Sequence, residues 1–234
     1  PTNPFAGGGG TEDARILVGE DFAALHVPVG GAPAHQQAVH RALPDAWVTA
    51  FILRKELAML RTWIAQRALT HDEVRDKANR LFTPEEVGQV KAFAFLGEIR
   101  RELGAFTLSD VVVGQEIQRG REEVYFRVVR PNEESDVGPL HRDTEHHARV
   151  PGLHPPDEET VKAWIAIDTE PGRNGLLIVP DSHRSAEQTP ELLRLHPGDI
   201  VLFNENLLHG GAVNRGERAR VSVEITLCFS RERS

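Results

Sequence analysis

Apolar residues recur along the chain at two periods, and the change from one to the other falls near residue 105. Over residues 51–69, Leu53, Leu57, Leu60, Ile64 and Leu69 repeat at helical spacing, which predicts a helix. Thr70 and Asp72 supply caps for a second helix over 73–81. Thr83, Pro84, Glu85 and Glu86 start a third, with a threonine cap, proline in the first position and acidic side chains against the positive end of the dipole. That helix is expected to run to Leu103 and to stop at Gly104. Further upstream, four glycines from Gly7 to Gly10 mark residues 1–13 as a flexible lead-in, 15–18 predicts a short strand, 27–33 breaks regular structure and 34–42 predicts a short helix.

From Ala105 onward the period shortens. Runs at 111–113, 116–118, 124–129, 161–168, 176–179, 200–203 and 219–227 predict short strands divided by glycine and proline. In the last run Arg218, Arg220, Ser222 and Glu224 alternate with mainly apolar odd positions, the pattern of a strand with one wet face. Many short strands of this kind build a sandwich or a barrel, and the pattern alone leaves an immunoglobulin-like sandwich as open as a jelly roll. The chain is therefore read as one domain, with 14–104 as mostly helical support outside the sheet and 105–230 as the β core.

Composition narrows the class. With 234 residues, 40% hydrophobic and 26% charged, the chain has the balance of a soluble globular protein. A net charge of -8 argues against a nucleic-acid partner, which requires a basic surface. No apolar run is long enough to span a bilayer, and no charged leader precedes an apolar core. The single cysteine, Cys228, excludes an intrachain disulfide, so the expected setting is a reducing cytoplasm and the expected partner a small molecule.

The chemistry concentrates in three pieces of the β half. His141 and Asp143 are two residues apart, so on a strand both project from one face and can reach one ion. His209 ends the apolar run 199–208 just before Gly210 and Gly211, where a strand would finish and turn, and it supplies a third ligand from far along the chain. Two neutral imidazoles and one carboxylate with open positions suit non-haem Fe(II) that activates oxygen. Arg220 could grip a carboxylate near that ion through two parallel hydrogen bonds, and Ser222 points the same way. Arg218 shares that face, and the spacing of these residues does not separate the two arginines. The plainer alternatives are a surface pair for His141 and Asp143, a turn residue for His209, an Arg220 paired with Glu224, a core Trp164 and a solvated Arg130. His146, His147 and His154 fall in a polar loop that is either a lid with substrate contacts or simply solvated, His183 and His196 read as turn residues, and Cys228 as a small residue near a strand end.

A resemblance separates these alternatives. Arg130 with Pro131, the triplet His141, Arg142 and Asp143, Ala163 with Trp164, Asn174 with Gly175, Val179 with Pro180, Ser182 with His183, Gly198 with Asp199 and Phe203, His209 with Gly210, and Arg220 with Ser222 occur in that order. From about residue 125 to 227 the chain resembles the phytanoyl-CoA hydroxylase-like family of Fe(II)/2-oxoglutarate-dependent dioxygenases. The resemblance implies an α+β, mainly β fold, the double-stranded β-helix or jelly roll. It implies that His141, Asp143 and His209 hold iron, that Arg220 binds the far carboxylate of 2-oxoglutarate, and that Trp164 and Arg130 line the co-substrate pocket. Fe(II), 2-oxoglutarate and O2 are the cofactors it implies, with succinate and CO2 as co-products. Related halogenases lack the carboxylate ligand, so Asp143 points to hydroxylation or another oxidation. Arg127, Arg130 and Arg149 would favour a polar or anionic metabolite. Residues 1 to about 120 carry no matching motif. A cupin-like isomerase or lyase and a non-catalytic jelly-roll binder are the other classes; Arg220 speaks against the first and the complete ligand set against the second.

Overall fold

The computed structural model describes residues 47–52, 54–155, 157–180, 182 and 189–230. The lead-in over 1–13, the strand over 15–18, the break at 27–33, the helix over 34–42 and the turn at His183 lie outside the described residues.

Among the described residues eleven strands run in chain order: β1 Trp47–Phe51, β2 Thr107–Leu108, β3 Asp110–Val113, β4 Glu116–Glu122, β5 Val124–Val129, β6 Glu158–Asp168, β7 Leu176–Val179, β8 Glu191–Leu192, β9 Asp199–Asn204, β10 Leu208–Gly211 and β11 Arg220–Ser230. The larger sheet has the antiparallel order β1, β9, β6, β11, and the far edge of β11 carries both β5 and β2. A smaller sheet orders β10, β7, β8, and β3 with β4 forms a separate hairpin.

Alternation along the long strands builds the layers. One face of the larger sheet, with Ala163, Ile165, Ile200, Leu202, Val223 and Ile225, packs on Leu57, Leu60, Phe82, Val90, Leu96 and Ile99 from the helical half. The opposite face, with Trp164, Ala166, Val201 and Phe203, packs on Leu176 and Ile178 of the smaller sheet. Two antiparallel sheets face to face, with helices outside one of them, make the double-stranded β-helix. The alternating run on β11 does have a polar face, but that face is not wet. Arg220, Ser222, Glu224 and Thr226 are 1%, 0%, 8% and 7% exposed, because the stripe points between the sheets.

The helical half is more broken than its periodicity predicts. The helices are α1 Arg54–Gln66, α2 His71–Arg75, α3 Lys77–Arg80, α4 Pro84–Val90 and α5 Ala94–Leu103. Residues 47–51 are an edge strand registered on β9, so the first helix begins later than expected. The second expected helix divides at Asp76, whose extended backbone closes α2 on Glu73 while its carboxylate accepts from the Ala78 N–H to start α3. Thr83 caps the third helix as expected and forms a capping box with Glu86, yet that helix stops at Val90. Phe93 turns extended to stack on Trp63, and Glu56 accepts the freed Ala94 N–H at 2.9 Å. The apolar run 199–208 is likewise two elements in different sheets, turned where Asn204 Oδ1 accepts the Asn206 N–H. His209 therefore sits inside β10 instead of at a strand end. Among the described residues no helix is long and apolar enough to cross a membrane.

Candidate active site

A cavity of about 460 Å³ opens between the sheets, and His141, Asp143, Lys162, Trp164, His209 and Arg220 are among the residues that line it. Its floor is set by a backbone approach. The segment 139–141 runs beside β10, where His141 N–H donates to His209 O at 2.9 Å and His209 N–H to His141 O at 3.0 Å. Gly210 permits that approach, since a Cβ there would stand 3.2 Å from Leu140 Cδ2 and 3.5 Å from Leu140 Cα. His141 makes only an isolated bridge, so the expected shared strand face for His141 and Asp143 does not form. The chain instead enters a short helix, α6 Asp143–His147, whose first residue swings its carboxylate back to the histidines. Arg142 fixes this bend by donating from Nε to Asn206 O at 3.0 Å and from Nη2 to Ser182 O at 2.8 Å.

One ligand-type atom from each of His141, Asp143 and His209 lies within 4.8 Å of the others. The Nε2 atoms of His141 and His209 stand 3.8 and 3.9 Å from Asp143 Oδ1. These gaps are too long for hydrogen bonds. Two metal–ligand bonds of about 2.0–2.2 Å reach across them. Both imidazoles turn Nδ1 to a backbone carbonyl, His141 to Pro139 O at 3.1 Å and His209 to Leu207 O at 2.9 Å. A carbonyl accepts only from N–H, so each neutral ring carries its proton on Nδ1 and offers a bare Nε2 to the centre. Burial pulls His209 below the ordinary imidazole value, against the opposing influence of Asp143. Burial would raise Asp143, but Lys162, His209 and His141 outweigh it and hold its carboxyl at about 2. Lys162 Nζ stands 3.5 Å from Asp143 Oδ2 and donates to Thr226 Oγ1 at 2.8 Å.

Deeper in the cavity Arg220 is buried over the Trp164 ring, Cζ to centroid 5.7 Å. Nη1 donates to Ser222 Oγ at 3.0 Å, Nε has no partner, and among the described residues no carboxylate lies within ion-pair distance. Burial draws its pKa down to about 10, although Glu224 pushes the other way. An uncompensated buried guanidinium is costly, and an anion arriving in the cavity would relieve it. Arg218 is exposed and its backbone N–H donates to Glu170, so the two arginines that spacing left equal stand in different surroundings.

Residues 38–222 match the family model described as phytanoyl-CoA dioxygenase (PhyH). The chain belongs to the phytanoyl-CoA dioxygenase family. It is therefore a dioxygenase-type oxidoreductase of the class that uses Fe(II), 2-oxoglutarate and O2. Solved structures share the fold at low identity. SnoK, a non-haem α-ketoglutarate-dependent carbocyclase from nogalamycin biosynthesis, is 16% identical with a TM-score of 0.54, covering 85% of this chain and 87% of its own. EctD from S. alaskensis with bound Fe is 16% identical at TM-score 0.53, with 83% and 76% covered. The non-haem monooxygenase ThoJ in its Ni complex is 12% identical at TM-score 0.53, with 79% and 75% covered. No curated protein sequence matches the chain.

For the iron of a phytanoyl-CoA dioxygenase the donor set fits, since two imidazoles with free Nε2 atoms and one ionised carboxylate converge at the cavity wall. Other expectations for the family's pocket divide. Trp164 lines the cavity beside Arg220. Ser222 is fully buried behind the lining and its hydroxyl is occupied by Arg220. Arg130 does not reach the cavity. Asp136, at the end of a 3₁₀ turn over Glu134–Asp136, holds its Nε at 3.0 Å and Nη2 at 3.2 Å, and it is Asp136 that lies on the wall. His146 is exposed, whereas His147 Nδ1 meets Glu205 Oε2 at 3.0 Å.

The cavity also holds a charged network that the sequence reading did not assemble. Tyr125 OH donates to Glu224, and Arg127 Nε pairs with the other oxygen of Glu224 at 2.7 Å. Burial would raise Glu224, but Arg127 and Lys162 outweigh it and hold the carboxyl at about 2. The signal was present as Lys162 in the otherwise apolar core of β6 and Glu224 in the core of β11, directly next to Trp164 in register.

Proposed function

We propose that the chain is an Fe(II)/2-oxoglutarate-dependent hydroxylase of a small polar or anionic metabolite, with succinate and CO2 as co-products. His141, Asp143 and His209 would hold the iron, and Arg220 would grip the far carboxylate of 2-oxoglutarate. One observation carries this reading: a free-Nε2 histidine pair with an ionised carboxylate shares a cavity with a buried guanidinium that has no carboxylate in ion-pair range among the described residues. The chemistry supplied by iron and 2-oxoglutarate, when bound, is activation of dioxygen for attack on a C–H bond.

The chain's own residues bind, orient and exclude water. Lys162 keeps the Asp143 carboxylate charged and aimed. The backbone carbonyls of Pro139 and Leu207 fix the histidine tautomers. Trp164 and Leu176 give the inner wall its apolar character, and the Phe203 ring packs 4.4 Å from that of His209. No side chain has to act as a nucleophile. A single domain is supported by the core that Leu60, Phe82 and Leu96 of the helical half share with Ile165 and Ile225 of the sheet.

The cavity volume of about 460 Å³ suits a small molecule. Arg80 and Arg149 line it with no carboxylate in ion-pair range among the described residues, which supports an anionic or strongly polar substrate. Incubation with Fe(II), 2-oxoglutarate, O2 and a panel of amino acids and small hydroxy acids, read as succinate, tests the reading. We expect one member of the panel to raise succinate well above the Asp143→Ala background. Succinate that stays at that background, with no slow uncoupled turnover either, would remove the proposal.

A further inference from the structure

A second convergence of ligand-type atoms lies apart from His141, Asp143 and His209. His154, Glu158 and Cys228 each present one such atom within 4.8 Å of the other two. His154 Nδ1 is the hub, 3.4 Å from Glu158 Oε2 and 3.6 Å from Cys228 Sγ. A good N–H···O hydrogen bond is shorter than the first of these, at about 2.9 Å. The edges of a tetrahedral zinc site behave differently. Bonds of about 2.0–2.2 Å to nitrogen and oxygen and about 2.3 Å to sulfur, opened to the tetrahedral angle, separate N from O by roughly 3.4 Å and N from S by roughly 3.5 Å.

The three side chains are placed by the fold. Glu158 opens β6 opposite Ser230, and Cys228 lies opposite Thr160, so both project from one sheet face as diagonal neighbours. His154 comes from the loop between α6 and β6, which is anchored where Val150 and Leu153 pack on Val112 and Ile117 of the β3–β4 hairpin. Its other ring nitrogen, Nε2, faces Ser109 Oγ at 3.4 Å, and the His147 ring crosses it edge-on at 4.4 Å. A protonated Nε2 toward Ser109 leaves Nδ1 with a lone pair for the centre. Cys228 is buried and Glu158 is a quarter exposed, so the cluster has a fixed inner side and an outer approach.

We propose that His154, Glu158 and Cys228 form a second metal-ion site, for a divalent cation of the zinc class. A thiolate, an imidazole and a carboxylate make a borderline-soft set, which zinc accepts and which differs from the all-N/O set of His141, Asp143 and His209. Cys228 would give up its proton on binding. A bound ion would tie the segment over 148–155 to the larger sheet. The proposal does not depend on what His141, Asp143 and His209 bind.

Sulfur makes the test specific. Metal-free, folded protein is titrated with Co(II) under anaerobic conditions and the near-ultraviolet thiolate-to-cobalt charge-transfer band is followed. The band is expected in the wild type and in Asp143→Ala, and it should be lost in Cys228→Ser, a near-isosteric change checked for folding by circular dichroism. Glu158→Gln, at a partly exposed position, should keep the band and weaken Co(II) affinity on the order of 10-fold or more. No band in the wild type, a band that survives Cys228→Ser, a band that vanishes in Asp143→Ala, or an unchanged affinity in Glu158→Gln would each overturn the site.

Discussion

Replacing Arg220 by methionine separates ligand binding from folding. The guanidinium is 1% exposed, its Nε has no partner among the described residues, and burial takes its pKa from the ordinary guanidinium value down to about 10. A base held below its unfolded value costs the fold wherever the unfolded chain carries the proton. The penalty is thus fully present at neutral pH and is relieved only as pH rises through about 10 towards the ordinary guanidinium value. With each tenfold change in proton affinity equal to about 1.36 kcal/mol, the cost is roughly 3 kcal/mol. Against this stands the 3.0 Å hydrogen bond to Ser222, whose loss strands a buried hydroxyl at about 1–3 kcal/mol. Arg220→Met should therefore leave the ligand-free protein between unchanged and about 2 kcal/mol more stable, which for a chain of this size raises Tm by at most roughly 8 °C. Ligand should reverse the ranking. At a hundred times its Kd, 2-oxoglutarate adds about 2.7 kcal/mol to the wild type and nothing to the variant. Differential scanning fluorimetry, anaerobic and with Fe(II) in every sample, reads both effects. A variant that melts more than about 2 kcal/mol below wild type without ligand, or an equal rise of both proteins with 2-oxoglutarate, would refute the reasoning.

Three further outcomes follow from the same geometry. Lys162→Met leaves Asp143 buried without its cation, so urea unfolding of the metal-free variant should show a loss of about 3–5 kcal/mol that a divalent ion partly restores; equal midpoints for wild type and variant without metal would contradict the pairing. Gly211→Ala places a Cβ 3.2 Å from Arg220 Nη2, so calorimetry should find weaker 2-oxoglutarate binding, on the order of 10-fold, in a normally folded protein; unchanged binding would detach Arg220 from the co-substrate. In metal-free protein, burial should make the His209 imidazole take up its proton below 6.5 as pH falls, while Asp143, held at about 2, stays ionised throughout; an NMR titration that puts His209 above 6.5 would contradict the buried, neutral ring.

The β half was legible because a long antiparallel strand writes its two faces as alternation. Ile165, Ile200 and Ile225 went to the helices, and Trp164, Val201 and Phe203 to the smaller sheet. The same alternation misled on one point. A polar stripe reads as solvent-facing, and only the second sheet shows that Arg220, Ser222, Glu224 and Thr226 point between the sheets, with Arg220, Glu224 and Thr226 lining the cavity. Helix interruptions were hidden for a related reason. The apolar spacing runs unbroken from 84 to 103, but burying Phe93 against Trp63 takes a turn in the backbone, and no local propensity records a tertiary contact. At the site, His141, Asp143 and His209 were brought together from far-apart segments, though by a bridge and a helix start instead of a shared strand. Arg130 was misplaced because the carboxylate that captures it, Asp136, lies in a 3₁₀ turn with no periodic signature. Tyr125, Arg127 and Glu224 meet across paired strands, and single-strand spacing does not contain that register.

The most direct measurement is optical. Fe(II) and then 2-oxoglutarate are added to the protein without oxygen, and the weak visible charge-transfer band of the chelate is followed in wild type, Asp143→Ala and His209→Ala. A band that saturates with one iron per chain in the wild type and fails to form in both variants is the expected result. A wild type that takes up no iron, or variants that give the same band, would contradict the assignment of His141, Asp143 and His209 as the metal centre.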